Sequence, residues 1–430
     1  MNIQCRLGGL LQTGIPGIDG QESYVSRVLD YEIDMHTFLE LKNVVKALGV
    51  TENFRNIIDY FKVPEGETPA GFEPVYEMQG DGALLVDLKR NINYDKNGKK
   101  RPTGVLFSAD CADPYEIRKF HNLIANVTTN PAIIYNTFIN NEKANVGHLF
   151  NTREEVMREI GNIVGPGVDM SVELNNPFAS EEQILEEVEE FKEIISPWRL
   201  VIKVPHLGPI NRENAVGLMN GGDMPRYDKV DTGSACRSHD LALMLHEHGY
   251  RTNFTLMAEP HQTALALQAR PSFINTFMRN RFHHNESMDA YLKCYAATGD
   301  EKHLEDLRAF MVQSYNLGSD DMNLSLFEVK RRAEWILSYR EWDKNPDGLD
   351  QARHNLRLLK HSELKDTRLI ICSMDGEMYP LVDKMLAEEE FADMNGRVIV
   401  TASPSYLAGF TSSPAVLQYN KNFFKAAGAL

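Results

Sequence analysis

From Thr103 onward, short apolar runs alternate with longer amphipathic stretches. The runs typical of buried strands lie near residues 105, 125, 170, 201, 253, 274, 370 and 399. Each is followed by a helical pattern or by a gap long enough for a helix, and such alternation produces parallel strands. Eight units of this kind predict an α/β fold of the (β/α)8 barrel type. An open, doubly wound sheet is the alternative, but no GxGxxG or GxxxxGK[ST] motif follows any of these runs.

The first hundred residues have a different pattern. A glycine-rich opening precedes two helical stripes, one from Met35 to Leu48 that ends at Gly49 and one from Phe54 to Phe61 before Pro64. These stripes predict a helical hairpin. Residues 1–102 are therefore predicted to be a partly helical extension of a barrel formed by residues 103–430.

Two stretches are too long for ordinary barrel connections. They span about residues 206–238 and 283–365, and the second carries a helical stripe that includes Leu304, Leu307 and Met311. The second stretch is predicted to be a helical insertion between the sixth and seventh strands, where it could form an oligomer contact or a lid.

Charge and composition narrow the classes of partner. The 430-residue chain has a formal net charge of -16, which disfavours nucleic acid and anionic membrane surfaces. No apolar stretch approaches the roughly 18 residues needed to span a bilayer, and the N-terminus has no secretory pattern. The five cysteines lack CxxC spacing, which favours a reducing compartment. We therefore expect a cytoplasmic protein without nucleic-acid or membrane partners.

Polar residues at the ends of apolar strands are the first candidates for chemistry, because the active sites of such barrels lie at the carboxyl ends of the strands. Six residues meet this description: Asp110, Asn130, Glu173, Lys203, Asn253 and Thr255. Lys203 lies within the apolar run LVIKVP, where burial of an ammonium group is costly and favours the free amine that attacks a ketone. The alternative is a structural lysine that reaches solvent or pairs with Glu173.

Five segments together resemble transaldolases and the related fructose 6-phosphate aldolases. They are FSADCADPYEI, NVTTNPAII, MSVEL, LVIKVP and HEHGYRTNFTLMAEPHQTALA. The resemblance covers roughly residues 103–278 and, more weakly, the strands near 370 and 399. It implies a class I aldolase without cofactor or metal, a sugar or sugar-phosphate substrate, and a homo-oligomer. The histidine pairs His246/His248 and His283/His284 also lack metal-ligand spacing.

The resemblance also implies residue roles. Lys203 would form an imine with a ketose, and Asp110 would remove the hydroxyl proton at the carbon whose bond breaks. Glu173 and Thr255 would hold the water that relays protons, while Asn130 and Asn253 would bind the dihydroxyacetone unit.

The chain departs from the family where the substrate phosphate is bound. The family has an arginine just after the seventh strand, but this chain has Cys372-Ser373-Met374-Asp375 there. The second phosphate segment corresponds to Asn275, Phe277 and Arg279, with Arg281 one position beyond the expected arginine. We expect these residues, with Ser373 and Asp375, to face the substrate, and a carboxylate at 375 would repel a phosphate.

Several explanations remain open at the level of sequence. The substrate could lack a phosphate and present an amine or hydroxyl to Asp375. Alternatively, the loop after Lys203 could supply positive charge through Arg212, Arg226, Lys229 and Arg237. Two further possibilities are a Schiff-base lyase that acts on a 2-oxo acid or deoxysugar, and an inactive relative with an assembly or regulatory role.

Overall fold

The computed structural model describes residues 4–222 and 230–428. Eight parallel strands close into a barrel in sequence order, with the last strand paired to the first. All eight predicted strands and the (β/α)8 fold are confirmed. The barrel strands are β6 (Leu106–Asp110), β7 (Asn126–Thr128), β8 (Asp169–Glu173), β9 (Leu200–Pro205), β10 (Arg251–Thr255), β11 (Phe273–Phe277), β12 (Arg368–Cys372) and β13 (Val398–Ala402).

Helices surround the barrel and bury one apolar face against it. One example begins at Ser180, whose side chain forms a reciprocal capping box with Gln183, and it buries Ile184, Val188 and Phe191, which lie on one face of the helix. The helices of this ring are α5 (Pro114–Phe120), α6 (Arg153–Val164), α7 (Glu181–Ile194), α9 (Thr232–Glu247), α10 (His261–Gln268), α14 (Asp350–Lys360), α15 (Met378–Leu386) and α16 (Pro404–Gly409). Helix α8 (Arg212–Met219) lies in the connection between β9 and α9 and buries none of its residues. A π-helix (Ala132–Ile139) follows β7, and 3-10 turns span His121–Leu123 and Glu389–Arg397.

The N-terminal region is a mixed α/β unit with its own apolar core. Its elements are β1 (Gln4–Arg6), α1 (Gly9–Gln12), α2 (Glu22–Val28), β2 (Glu32–Asp34), α3 (Met35–Val44), β3 (Ala47–Val50), α4 (Glu52–Phe61), β4 (Phe72–Met78) and β5 (Ala83–Arg90). Strands β1 and β2 pair antiparallel, and β5 lies between β3 and β4.

The predicted helical hairpin in this unit is wrong, because a strand separates its two helices. Residues 47–50 form β3, which pairs with β5 through Leu48 and Val50. Gly49 does not end a helix; a Cβ at this position would collide with the Ile18 side chain, so the glycine allows a close approach. The strand forms because it pairs with β5, which lies more than thirty positions away, and a local pattern of apolar residues cannot reveal such a partner.

The N-terminal unit covers the amino-terminal end of the barrel. Arg90 at the end of β5 donates to the fully buried carboxylate of Asp169 on β8, which also accepts from Arg251. Burial alone would raise the pKa of Asp169, but the two guanidinium groups outweigh it and hold the pKa below its usual value. Ile92 packs against the barrel's interior apolar cluster, which includes Leu106, Val201, Phe273, Ile370 and Ile399.

Helices between β11 and β12 form the predicted insertion. They are α11 (Met278–Thr298), α12 (Lys302–Gln313) and α13 (Leu326–Tyr339), with a 3-10 turn over Ser319–Asn323. They enclose a separate apolar cluster that includes Leu307, Met311 and Val329. Helix α14 packs with the core around β12 and therefore belongs to the ring.

The C-terminal helix α17 (Pro414–Ala427) exposes its large apolar side chains, including those of Leu417 and Phe423. Within the described ranges, no helix is long and apolar enough to cross a membrane. The five cysteines are free thiols.

Candidate active site

Lys203 lies inside the barrel at the carboxyl-terminal half of β9, with 5% of its surface exposed. Its Nζ lies 3.1 Å from Glu173 Oε2 and donates to the carbonyl oxygen of Thr129 at 2.8 Å. Glu173 and Asn253 are its register partners on β8 and β10, so the three side chains point into the barrel at one level. These contacts hold the amine toward the mouth beside a carboxylate.

Asp110 ends β6 and faces the same interior. Burial raises the pKa of its carboxyl group, Glu173 adds to the rise, and Lys203 opposes it. A carboxylate with a raised pKa accepts a proton more readily than an ordinary aspartate, which suits a general base. The structure therefore brings together the amine and the two carboxylates identified at the strand ends.

A chain of buried polar side chains extends through the barrel interior from the level of Lys203 downward. Asn126 donates to Ser108 at 2.9 Å, and Ser171 donates to Asn126 at 3.3 Å. The chain continues through three further bonds: Asn253 to Ser171 at 3.4 Å, Asn275 to Asn253 at 2.5 Å, and the Cys372 thiol to Asn275 at 3.7 Å. Asn275 thus donates to the Asn253 side-chain oxygen, and Asn253 donates to Ser171, so both amides are bonded to protein groups and fix the floor of the site.

Most of this polar layer was not identified from the sequence, although a signal for it exists. Ser108 and Ser171 each lie two positions before an identified carboxylate, Asp110 or Glu173, and side chains two apart in a strand share a face. Thr401 on β13 belongs to the same interior, and its buried hydroxyl has no hydrogen-bond partner among the described residues.

Asn130 and Thr255 border the mouth in different ways. The Asn130 side-chain oxygen accepts from the backbone N–H of Ile133 at 2.8 Å, in the first turn of the π-helix that follows β7. The Thr255 carbonyl accepts from the backbone N–H of His206 at 3.1 Å, and the His206 ring lies 3.2 Å from the same oxygen. Burial lowers the pKa of His206 to about 4, so this ring is neutral at physiological pH.

The residues after β11 and β12 form a partly exposed charged cluster. Asp375 lies 3.3 Å from His283 and 3.9 Å from Arg279. Ser373 adopts a left-handed backbone with a φ of 57°, and its carbonyl accepts from the backbone N–H of Arg279 at 2.8 Å. Phe277 is half-buried at the end of β11. The charge of Arg279 therefore partly offsets that of the carboxylate at 375.

Arg281 is committed to protein partners. Its guanidinium donates to both carboxylate oxygens of Asp350 at 2.7 and 2.5 Å and lies 2.8 Å from Glu259. Burial opposes the charged form, but these two carboxylates outweigh it and raise the pKa of Arg281. A phosphate at this guanidinium would have to displace Asp350 or Glu259.

The loop after β9 was a second possible source of positive charge. Arg212 is exposed at the start of α8, and Arg237 donates to the carbonyl oxygens of Pro177 and Ala179. Arg226 and Lys229 lie outside the described residues. Across residues 4–222 and 230–428, no group of three or more His, Cys, Asp or Glu side chains is placed to hold a metal ion.

Comparisons with known proteins supply no family for this chain. No family model matches it, and no curated protein matches it. Among solved structures, a mandelate oxidase variant with 4-Br-2-hydroxy-methylphenylacetate matches at 9% identity over 60% of this chain and 80% of that chain, with a TM-score of 0.24. Similarity at this level supports no inference about function. The chain is therefore described by its own geometry, a closed barrel of parallel strands with an amine and two carboxylates grouped in its interior.

Proposed function

We propose that this chain is a class I, Schiff-base aldolase of the transaldolase type, with Lys203 as its nucleophile. The supporting observation is the buried Lys203 amine, 3.1 Å from Glu173 and beside Asp110, at the carboxyl end of a closed parallel barrel. This is the face on which enzymes with this fold carry out chemistry. The TTNP segment (128–131) begins at the end of β7, and the NFT segment (253–255) ends β10, so both segments that resemble the family lie at this face.

In the proposed reaction, the Lys203 amine adds to the ketone carbon of a ketose and water leaves to form a protonated imine. Asp110 takes the proton from the hydroxyl two carbons beyond. The carbon–carbon bond then breaks, an aldehyde leaves, and the electron pair moves into the imine to give an enamine. Glu173 carries the protons of imine formation and hydrolysis because it is the carboxylate in contact with the amine.

The enamine either takes up a proton or attacks an acceptor aldehyde. In the second case, the proton that Asp110 accepted is returned to the new hydroxyl, and hydrolysis of the imine releases the product and regenerates Lys203. Burial raises the pKa of Asp110, which makes its carboxylate a stronger base for the first proton transfer.

The charges near the mouth favour a substrate without a phosphate at the far end. The Arg281 guanidinium is held by Asp350 and Glu259, and the position after β12 carries Asp375. A hydroxyl can donate to Asp375 without the cost of two like charges at close range. We therefore propose an unphosphorylated ketose as the preferred donor.

Borohydride trapping tests the proposal. The full chain is incubated with a panel of phosphorylated and unphosphorylated ketoses, reduced, and examined by intact mass and peptide mapping. We expect a stable adduct on Lys203 with an unphosphorylated ketose and none in Lys203→Ala. Lys119→Ala, which removes an exposed lysine on α5, is the matched control and should be trapped like the wild type.

Three outcomes contradict parts of the proposal. No adduct from any ketose would refute the aldolase mechanism, while an adduct from pyruvate alone would favour a 2-oxo acid lyase. An adduct from phosphorylated ketoses only would keep the mechanism and reject the assignment of Asp375.

A further inference from the structure

A large cavity lies between the insertion helices and the loops that follow β9 and β10. Its volume is about 840 Å³, which lies within the range of organic-ligand sites. Gly208, Pro209 and Glu259 line it from the barrel side, and residues of the insertion form the opposite wall. The cavity therefore exists because of the insertion.

The lining of this cavity is basic, although the chain has a net charge of -16. Glu259 is the one acidic side chain among the described residues that line it, and it pairs with two buried arginines, Arg281 and Arg340. Arg331 lies exposed in the wall, and the guanidinium of Arg332 is 3.6 Å from Asp321. Asp350 also pairs with Arg281, so the four arginines of the lining meet three carboxylates, Glu259, Asp321 and Asp350, and outnumber them by one. An anion is therefore favoured near the exposed Arg331.

The same wall carries a stacked pair of aromatic rings. Trp335 and Tyr339 lie one turn apart on α13, and their rings are stacked with centroids 5.5 Å apart and an interplanar angle of 10°. The two residues are 63% and 47% exposed, because α13 packs into the insertion through Val329, Ala333 and Leu337 instead. The inner faces of the pair cover each other, and an outer face is available to stack on a planar ring.

The spacing of residues along α13 places the arginines close to the aromatic pair. Arg331 precedes Trp335 by four positions and Arg332 precedes it by three, so both guanidinium groups lie one turn from the indole. A ligand that carries a planar ring and an anionic group a few ångströms apart can contact both. Neither an inorganic anion nor an uncharged ring would use the whole wall.

We propose that this cavity binds a nucleoside phosphate, with the base stacked on an outer face of the Trp335–Tyr339 pair and the phosphates beside Arg331 and Arg332. Recognition by arginine side chains and aromatic stacking needs no glycine-rich phosphate loop. The site is built by the insertion and does not depend on imine chemistry at Lys203.

Isothermal titration calorimetry of the full chain with ADP tests this inference. We expect ADP to bind and adenosine and inorganic phosphate to bind at least about tenfold more weakly, since each offers only half of the contacts. Trp335→Leu and the double variant Arg331→Gln/Arg332→Gln should each weaken ADP binding by about tenfold or more. Arg118→Gln/Lys119→Gln, which removes two adjacent charges from α5, is the matched control and should bind ADP like the wild type.

Lys203→Ala should retain ADP binding, which separates this site from the aldolase proposal. Thermal unfolding monitored by circular dichroism establishes that each variant is folded before titration. The inference is overturned if ADP does not bind, if inorganic phosphate binds as tightly as ADP, or if the α13 variants and the α5 control behave alike.

Discussion

The polar layer inside the barrel allows a comparison of two buried hydroxyl groups that differ mainly in their partners. Ser171 is fully buried and bonds to Asn126 and Asn253, whereas the Thr401 hydroxyl is buried without a partner among the described residues. Ser171→Ala and Thr401→Val each delete one hydroxyl from this layer. We expect the first to destabilise the fold and the second to be neutral or stabilising.

The magnitude follows from the geometry. The two Ser171 bonds measure 3.3 and 3.4 Å, near the upper limit for a hydrogen bond, so each contributes only about 0.5 kcal/mol. Their loss also leaves the fully buried amides of Asn126 and Asn253 each short of a partner, at a cost of about 1 kcal/mol apiece. Ser171→Ala should therefore lower the free energy of unfolding by about 3 kcal/mol. Thr401→Val removes a group that is costly to bury and should raise it by up to about 1 kcal/mol.

Urea unfolding at pH 7, followed by tryptophan fluorescence and circular dichroism, measures both differences under one set of conditions. The informative quantity is the difference between the two variants rather than either absolute value. Equal losses for both would refute the reasoning, since they would mean that burial, and not the hydrogen-bond partner, determines the cost in this layer.

Three further predictions concern other groups. Asp169→Ala should cost about 3–5 kcal/mol at pH 7, because it leaves two arginines without their buried carboxylate. The folded state holds the pKa of Asp169 below the ordinary value of 3.8. The stability that Asp169 contributes is therefore fully present above pH 3.8 and is lost as the pH falls through the lower folded pKa. Urea unfolding of the wild type and the variant at pH 7 and at pH 3 measures this loss. Asp110→Asn should still be trapped by borohydride but should release no aldehyde. In the wild type, the rate of aldehyde release should begin to fall at a pH above 3.8 as the solution is acidified, since burial raises the pKa of Asp110. The Cys372 thiol, whose pKa burial raises, should resist iodoacetamide at pH 8 while exposed Cys294 reacts, as measured by peptide mapping; equal labelling would contradict the buried position.

The barrel was predictable from the sequence because each strand is a compact apolar run between turn and helix signals. Lys203, Glu173 and Asp110 could be placed in one interior because strand ends in a parallel barrel converge. By contrast, the commitment of Arg281 to Asp350 was not predictable, since the two lie 69 positions apart and meet only through packing of the insertion against the ring. The strand at 47–50 was missed for the same reason, because its pairing partner is β5.

The N-terminal unit closes the lower end of the barrel with Ile92 and with the Arg90 contact to Asp169. A small molecule would therefore reach Lys203 from the opposite end, where the barrel strands end. In the proposed transfer, the first aldehyde leaves before the second adds, because the enamine stays covalently attached to Lys203 between the two steps. Both aldehydes would then pass through the same end of the barrel, and the N-terminal unit would keep water from reaching the enamine from the other end.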